Sequence, residues 1–337
     1  NDSTVNAGQL GAILSARSEL IMENGAQINA TGPLSNGVVS FGGQVSATDS
    51  GIRGEANGII VFPEASLTTS NKVVLNNSTV QGVTGAAIRV DGRNQGSTER
   101  VNIQVNNGST LLHGNGNLLE VQNGAMVNFD VNNSRLVGDI IVDADSQADV
   151  SLDNFATLTG RLENVQNLEI ANQARWIMVG DGSVENLALN GGGVQFGNPG
   201  QYFKLTVGEL SGNGTFYMHN DFTTGQVDTL TVTGTATGEH TVALDSSGTE
   251  PLTAASQAVV HIAAGDAQFS LLGGPVDLGT YSYDLVKVGN NDWYLNSATR
   301  TISPGTQSVM ALFSAARTVW YGEMSSLRSR MGEVRLD

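Results

Sequence analysis

The chain contains no cysteine, only 6 prolines and very little lysine among its 337 residues. Without thiols a zinc site is disfavoured, and no glycine-rich phosphate-binding loop with its lysine occurs. No continuous apolar segment is long enough to predict a transmembrane helix. In an exported protein, the lack of cysteine is typical of a chain that crosses an oxidising compartment unfolded and uncrosslinked.

Basic residues are scarce, because 16 lysines and arginines stand against 32 aspartates and glutamates, which gives a formal net charge of −16. An acidic surface repels nucleic acids, heparin-like polymers and anionic lipid head groups. We therefore expect none of these to be the main partner. Residues 306–337 differ from the rest, since their arginines slightly outnumber their acidic residues.

A sequence pattern recurs from Val73 to Gly180, and earlier segments follow it less regularly. Each copy consists of an apolar strand, a corner with asparagine and a second apolar strand closed by glycine, as in residues 74–82. The corner asparagines lie about 18 to 30 residues apart, a spacing typical of solenoid repeats. They are Asn77, Asn107, Asn133, Asn154 and Asn172. Asparagine and glycine tolerate the left-handed backbone that such corners require.

These repeats predict an all-β fold, a parallel β-helix (solenoid) filled by valine, leucine and isoleucine. A β-sandwich or barrel is the alternative, but it would show a turn every ~8–12 residues and clean alternation of apolar and polar residues. At about 20–25 residues per coil, the helix would have roughly eight or nine coils. We expect it to occupy residues 1–200.

After residue 200 the pattern changes and aromatic residues become concentrated. Hairpins are predicted at the turns 211–214 and 289–292, each between two apolar segments. Because the last coil of a solenoid exposes its core and its strand edge, it needs a cover. We therefore expect 201–298 to form a C-terminal β-hairpin cap with a small core of its own.

The remaining segment, 299–337, predicts a long amphipathic α-helix with Ser303 as N-cap and Pro304 as its first residue. Its charged residues, among them Arg317 and Arg328, are too costly to place in hydrocarbon. A long charged helix after a β-rich exported domain suits a segment that threads a water-filled pore.

Several motifs after residue 200 resemble those of the pertactin-like autotransporter passengers of Gram-negative bacteria. They are Phe203-Lys204-Leu205-Thr206-Val207, Leu210-Ser211-Gly212-Asn213-Gly214-Thr215-Phe216, Gly279-Thr280-Tyr281, Asn291-Asp292-Trp293 and the closing helix from Trp320 to Arg335. The resemblance implies a right-handed β-helix, a cap that nucleates folding (an autochaperone region), and a linker helix in the pore of the chain's own C-terminal outer-membrane β-barrel. It also implies a place at the bacterial surface or, after release, outside the cell. The family's Arg-Gly-Asp route to host cells is not predicted, because that sequence is absent here.

No catalytic or metal-binding arrangement emerges from the sequence. The histidines at positions 113, 219, 240 and 261 lack ligand spacing. Ser50, in Thr48-Asp49-Ser50-Gly51, faintly resembles a serine-protease nucleophile, but no histidine precedes it, so a turn is predicted. Asp143, Asp145 and Asp149 lack the glycine and spaced ligands of calcium loops, so a solvated corner is predicted. We expect no enzyme activity, no cofactor and no metal.

The longest gap between corner asparagines contains residues 91–100, a polar and charged stretch. Because function in solenoids tends to lie on such insertions, we expect this stretch to protrude as a loop that contributes to binding. A plain surface loop is the alternative. The candidate binding residues are Asp91, Gly92, Arg93, Asn94 and Gln95.

We expect a surface-exposed or secreted passenger that acts as an adhesin or virulence factor, with host cells, host matrix or sister bacteria as partners. Two alternatives stay open. One is immune evasion by capture of a host serum protein such as a complement regulator. The other is a hydrolase whose catalytic residues lie outside this segment. Shape and charge alone name no receptor.

Overall fold

The structure is a computed structural model that describes residues 2–64, 71–92, 99–247 and 256–333. The described residues are mostly β-strand, wound into a solenoid of about ten turns, and one long helix follows them. The parallel β-helix that the asparagine repeats predict is thereby confirmed.

Most strands are short, apart from two long ones between residues 182 and 221, and they are distributed along the described chain up to the long helix. Up to residue 142 they are β1 (Thr4–Ala7), β2 (Leu10–Leu14), β3 (Glu19–Met22), β4 (Gln27–Ala30), β5 (Asn36–Phe41), β6 (Gln44–Thr48), β7 (Gly51–Gly54), β8 (Ile59–Phe62), β9 (Lys72–Asn76), β10 (Thr79–Gly82), β11 (Ile88–Asp91), β12 (Arg100–Asn106), β13 (Thr110–Leu112), β14 (Asn117–Gln122), β15 (Met126–Asn132), β16 (Arg135–Val137) and β17 (Asp139–Val142). The later strands are β18 (Gln147–Asp153), β19 (Thr157–Thr159), β20 (Leu162–Glu163), β21 (Asn167–Ala171), β22 (Arg175–Ile177), β23 (Gly182–Gln195), β24 (Lys204–Asp221), β25 (Gln226–Val227), β26 (Thr229–Ala236), β27 (Glu239–Ser246), β28 (Gln257–Gly265), β29 (Gln268–Leu271), β30 (Val276–Leu278), β31 (Tyr281–Tyr283), β32 (Leu285–Val288), β33 (Asp292–Leu295) and β34 (Thr301–Ile302).

Successive strands alternate among three faces of the solenoid. The first face stacks β1, β4, β7, β10 and β13 in parallel, and its later coils add β16, β19 and β22. The second face runs from β2 through β5, β8, β11, β14 and β17 to β20, and the third from β3 through β6, β9, β12, β15 and β18 to β21. Because neighbouring strands lie about 4.8 Å apart, equivalent residues of successive coils form ladders along the axis.

The corners between the third and first faces explain the asparagine repeat. All five predicted corner asparagines have positive φ, between 45° and 57°. The residue after the corner points inward at several coils: the Ser50 N–H donates to Ser78 Oγ at 3.1 Å, and the Ser78 N–H donates to Ser109 Oγ at 3.0 Å. The turn predicted at Thr48-Asp49-Ser50-Gly51 is one of these corners, with Asp49 at φ 51°.

The core is one continuous column rather than two. Alternate residues of each strand point inward, as in β12, where Val101, Ile103 and Val105 are buried. The same cluster of apolar side chains extends to Trp293 and includes Phe216. The expectation that the C-terminal part has a separate core is therefore wrong, since its aromatic residues continue the solenoid core.

The hairpin predicted at 211–214 is also wrong. That segment lies inside the single long strand β24, which bends at Gly212, where φ is 85°. The two halves of β24 pair in parallel with β23 before it and with β26 and β27 after it. Each long strand therefore spans the third and first faces in succession.

The end of the solenoid does contain antiparallel pairs. The hairpin predicted around 289–292 is confirmed, because β32 and β33 pair antiparallel, and β33 also pairs antiparallel with β28. A small sheet of β30, β31 and β34 lies beside them. Parallel stacking continues through β29. A division of the chain at residue 200 thus coincides with no change in pairing.

The closing helix, α1, spans Pro304–Glu333. Ser303 caps it as predicted, since the Thr306 N–H donates to Ser303 Oγ at 3.3 Å. Its described apolar side chains, such as Phe313 and Trp320, are exposed. No helix among the described residues has both the length and the apolar character needed to cross a membrane.

Candidate functional site

The outer surface of the third face carries two ladders of mostly polar side chains. These side chains occupy the outward positions that alternate with the buried core residues of each strand. The first ladder is Asn102, Asn128, Asp149, Asn167, Asn186 and Glu209. The second ladder is Gln104, Asp130, Ser151, Glu169, Ala188 and Ser211.

Most of both ladders lines one open groove of about 470 Å³, which we call the acidic groove. Its polar lining is Asn128, Asp130, Asp149, Ser151, Asn167, Glu169, Asn186, Glu209 and Ser211. Four of these side chains are carboxylates, and none is basic. The groove therefore offers many hydrogen-bond acceptors along the solenoid axis.

Hydrogen bonds along the first ladder hold its amides in fixed orientations. Asn128 Nδ2 donates to Asn102 Oδ1 at 2.8 Å, and Asn186 Nδ2 donates to Asn167 Oδ1 at 2.8 Å. Asn167 Nδ2 in turn donates to Asp149 Oδ1 at 2.6 Å. Such a ladder is set before any ligand arrives, which reduces the ordering that binding requires.

The four carboxylates of the groove differ in the hydrogen bonds and ion pairs that they make. Asp149 is paired with Arg100 at 2.8 Å, Glu169 accepts a hydrogen bond from Asn190, and Glu209 accepts one from the Thr235 N–H. Asp130 makes no hydrogen bond or ion pair with any described residue. Because it is partly buried, desolvation raises the pKa of its carboxyl. Asp130 is thus the groove carboxylate best placed to accept a donor from a ligand.

The structure describes two of the five sequence-predicted site residues. Asp91 is the last residue of β11 and only 2% exposed, and it accepts a hydrogen bond from Asn123 Nδ2 at 2.8 Å. Gly92 packs so closely that an added Cβ would lie 2.5 Å from the Asn123 carbonyl oxygen. Neither residue protrudes, so the expectation of an exposed loop fails at this end. Arg93, Asn94 and Gln95 lie outside the described residues.

The other end of the predicted loop leads directly to the acidic groove. Arg100 begins β12, and its Nη1 donates to Asn128 Oδ1 at 3.2 Å as well as pairing with Asp149. Both partners line the groove. The segment between Gly92 and Arg100 therefore ends at the groove's N-terminal edge, a connection that the sequence alone does not reveal.

The four histidines lie apart in the structure. His113 bonds the Val137 carbonyl, His219 pairs with Asp228 at 3.0 Å, His240 lies in the core beside Phe269, and His261 pairs with Asp292 at 2.7 Å. Across the described ranges, no group of three histidine, aspartate or glutamate side chains is arranged to hold a metal ion.

The three aspartates considered as a calcium site, Asp143, Asp145 and Asp149, lie in two different places. Asp143 and Asp145 lie at the corner between β17 and β18, where Asp143 accepts a hydrogen bond from the Asn123 N–H at 2.6 Å. Asp149 instead lies within β18, on the groove. The solvated corner predicted for all three holds for Asp145, which is exposed. Asp143 lies at the same corner, but one of its carboxylate oxygens is buried.

Comparison with known proteins finds similarity to autotransporters. The pertactin family matches residues 184–297. BrkA autotransporter of Bordetella pertussis is 28% identical over 332 residues, which is 93% of this chain and 32% of that protein. Autotransporter adhesin/invasin TibA of Escherichia coli is 34% identical over 205 residues, 57% of this chain and 20% of that protein. The chain spans about a third or less of the length of these relatives.

A protease autotransporter and one solved structure are also similar to this chain. The immunoglobulin A1 protease autotransporter of Haemophilus influenzae is 32% identical over 154 residues, 41% of this chain and 9% of that protein. Among solved structures, the autotransporter UpaB from Escherichia coli matches 87% of this chain and 95% of its own, with a TM-score of 0.47 and 15% identity.

Proposed function

Since this chain is a pertactin-like autotransporter passenger domain, we propose that it acts at the bacterial cell surface as a non-enzymatic adhesin that attaches through the acidic groove. The partner is a host surface or a sister cell that presents hydrogen-bond donors. The observation that carries this proposal is the preorganised ladder of amides and carboxylates along one exposed face. The name of the TibA relative, an adhesin/invasin, supports the same role.

The chemistry of the groove favours attachment over turnover. Its side chains accept hydrogen bonds and carry negative charge, and rigid strands hold them in place, so binding requires little ordering of the protein. A single groove of this size gives modest affinity. Many copies on one cell multiply that affinity, because every contact after the first forms at high effective concentration.

We also propose that residues 93–99 contribute the N-terminal edge of this binding surface. The support is Arg100, which joins this segment to Asn128 and Asp149 in the groove. Asp91 and Gly92 stay outside the proposal, because both are buried at a corner. The candidate binding residues of the segment are therefore Arg93, Asn94 and Gln95.

The test is to display the full chain on a non-adherent bacterium and to count attached or aggregated cells. We expect Asp130→Asn combined with Glu169→Gln to lower attachment several-fold, and replacement of 93–99 by a short Gly-Ser linker to lower it as well. Asp145→Asn is the matched control, since it removes an exposed charge outside the groove. It should leave attachment unchanged.

Two outcomes would redirect the interpretation. Attachment that survives the groove variants at the wild-type level would remove the acidic groove from the adhesin proposal. Wild-type cells that do not attach, but retain a serum protein after washing, would favour immune evasion instead.

A further inference from the structure

The first face has the opposite charge character to the acidic groove. From β10 to β24 its outward side chains include two arginines and no carboxylate, in a chain whose net charge is −16. They are Thr79, Gln81, Thr110, Leu112, Arg135, Val137, Thr157, Thr159, Arg175, Ile177, Gln195, Thr215 and Tyr217. This face is therefore a local exception to the acidic surface.

Folding alone does not explain why a phenylalanine occupies position 155, at the corner beside this face. The φ of Phe155 is 64°, and its side chain is 58% exposed. The corresponding corner position is Gly108 at φ 80° in one coil, Gly191 at φ 80° in another and the polar Gln173 at φ 63° in the coil between Phe155 and Gly191. A side chain in the left-handed region costs about 1 kcal/mol relative to glycine, and a bulky residue there is an outlier. Here the strained backbone holds an aromatic ring out in water.

The ring of Phe155 forms a shared wall between two clefts, each with one arginine. One cleft, of about 310 Å³, is lined by Thr110, Asn133 and Arg135 as well as the ring. The other, of about 270 Å³, is lined by Arg175, Thr215 and Tyr217. The two arginines are two coils apart, because both stack on Thr157, and this separation is about 9.6 Å.

Both arginines are available to an anion. Arg175 is held in place, with Nη1 donating to Gln195 Oε1 at 3.1 Å and its guanidinium 3.8 Å from the centre of the Tyr217 ring. Arg135 is exposed and forms no ion pair within the described ranges. A guanidinium that is oriented but not neutralised binds a carboxylate through two parallel hydrogen bonds.

We propose that the surface formed by Phe155, Arg135 and Arg175 binds a saccharide that carries a carboxylate. The flat ring stacks on the apolar C–H face of a sugar, and the arginine of the occupied cleft takes the carboxylate. Asn133 in one cleft, or Thr215 in the other, reaches a hydroxyl. The net charge of the chain repels long polyanions, which favours a compact acidic sugar. This inference goes beyond the adhesin proposal, because it assigns a ligand class to a surface outside the acidic groove, and it rests on that proposal only for its biological role.

The test is calorimetric titration of the full chain with 3′-sialyllactose, and with lactose as the uncharged comparison. We expect binding of sialyllactose and at least tenfold weaker binding of lactose. Phe155→Gly should weaken sialyllactose binding at least tenfold while the thermal midpoint stays equal or rises, because glycine fits the left-handed corner. Arg135→Gln combined with Arg175→Gln should abolish the preference for sialyllactose.

The matched control is Leu34→Gly, which also removes an exposed side chain from a left-handed position, with φ 66° and 86% exposure. It should leave binding unchanged. Equal affinity for lactose and sialyllactose, wild-type binding by Phe155→Gly, or no binding at millimolar sialyllactose would overturn the inference. Preferential binding of a glutamate-rich peptide would overturn the saccharide assignment. Failure in titration together with normal attachment by displaying cells would leave the adhesin proposal standing.

Discussion

Replacing Trp293 by alanine tests how the C-terminal end of the solenoid is closed. Trp293 lies on β33 and is 2% exposed. Its ring packs edge-on against Phe269 with 4.9 Å between centroids, and Lys287 Nζ lies 4.5 Å from the ring centroid. Truncating a buried tryptophan removes about 3–5 kcal/mol of stability. Because solenoid coils interact mainly with their neighbours, we expect the loss to stay in the last coils.

Amide hydrogen exchange followed by mass spectrometry measures this loss locally. A decrease of about 3–5 kcal/mol in opening free energy corresponds to roughly 10²- to 10⁴-fold faster exchange. We expect this acceleration in peptides from 257–302 and none in peptides from 100–177. Trp320→Ala is the matched control, since that tryptophan is 64% exposed on α1. It should leave exchange in both regions unchanged.

Two results would refute this reasoning. Equal acceleration in 100–177 would mean that the solenoid opens as one cooperative unit rather than coil by coil. Unchanged exchange in 257–302 would mean that the Trp293 ring does not hold the end closed.

Two further predictions concern the same region. His240 is 1% exposed and burial lowers the pKa of its imidazole, so its contribution to stability is complete above the ordinary pKa of 6.5 and is lost as the pH falls below it. The thermal midpoint of the wild type should therefore fall more steeply below pH 6.5 than that of His240→Leu, and parallel curves would contradict this. Deleting 201–298 should lower the refolding yield of the β-helix measured by far-ultraviolet circular dichroism, because pairing parallel strands is slow without the end that nucleates it; an unchanged yield would argue against that role.

The corners of the solenoid were predictable because their chemistry is local. Asn107 and Asn154 reveal their left-handed conformation through residue type and regular spacing. The hairpin turn predicted at 211–214 is wrong for the same reason. A glycine-rich corner of a solenoid and a hairpin turn have similar local sequences. What separates them is the pairing of β24 with β27, a contact about 26 residues away that local chemistry does not encode.

The two proposed binding surfaces were not predictable, because they arise only when coils stack. Asp130 and Glu169 are distant in sequence, yet the register of β15, β18 and β21 places both on one ladder. Sequence reasoning favoured an insertion at 91–100 instead, and the structure buries Asp91. The recurrence of asparagine and aspartate at alternate strand positions, as in Asn128 and Asn167, was the available signal. Nothing in the sequence marks Phe155 as exposed, because its left-handed backbone conformation is visible only in the structure.

Adhesion of the isolated chain is the most direct test of the central claim. Fluorescent beads coated with the purified wild-type chain should remain on an epithelial monolayer under flow several-fold more often than beads coated with albumin. Beads coated with the combined Asp130→Asn and Glu169→Gln variant should be retained several-fold less often than wild-type beads. Wild-type beads retained no better than albumin beads would contradict the account.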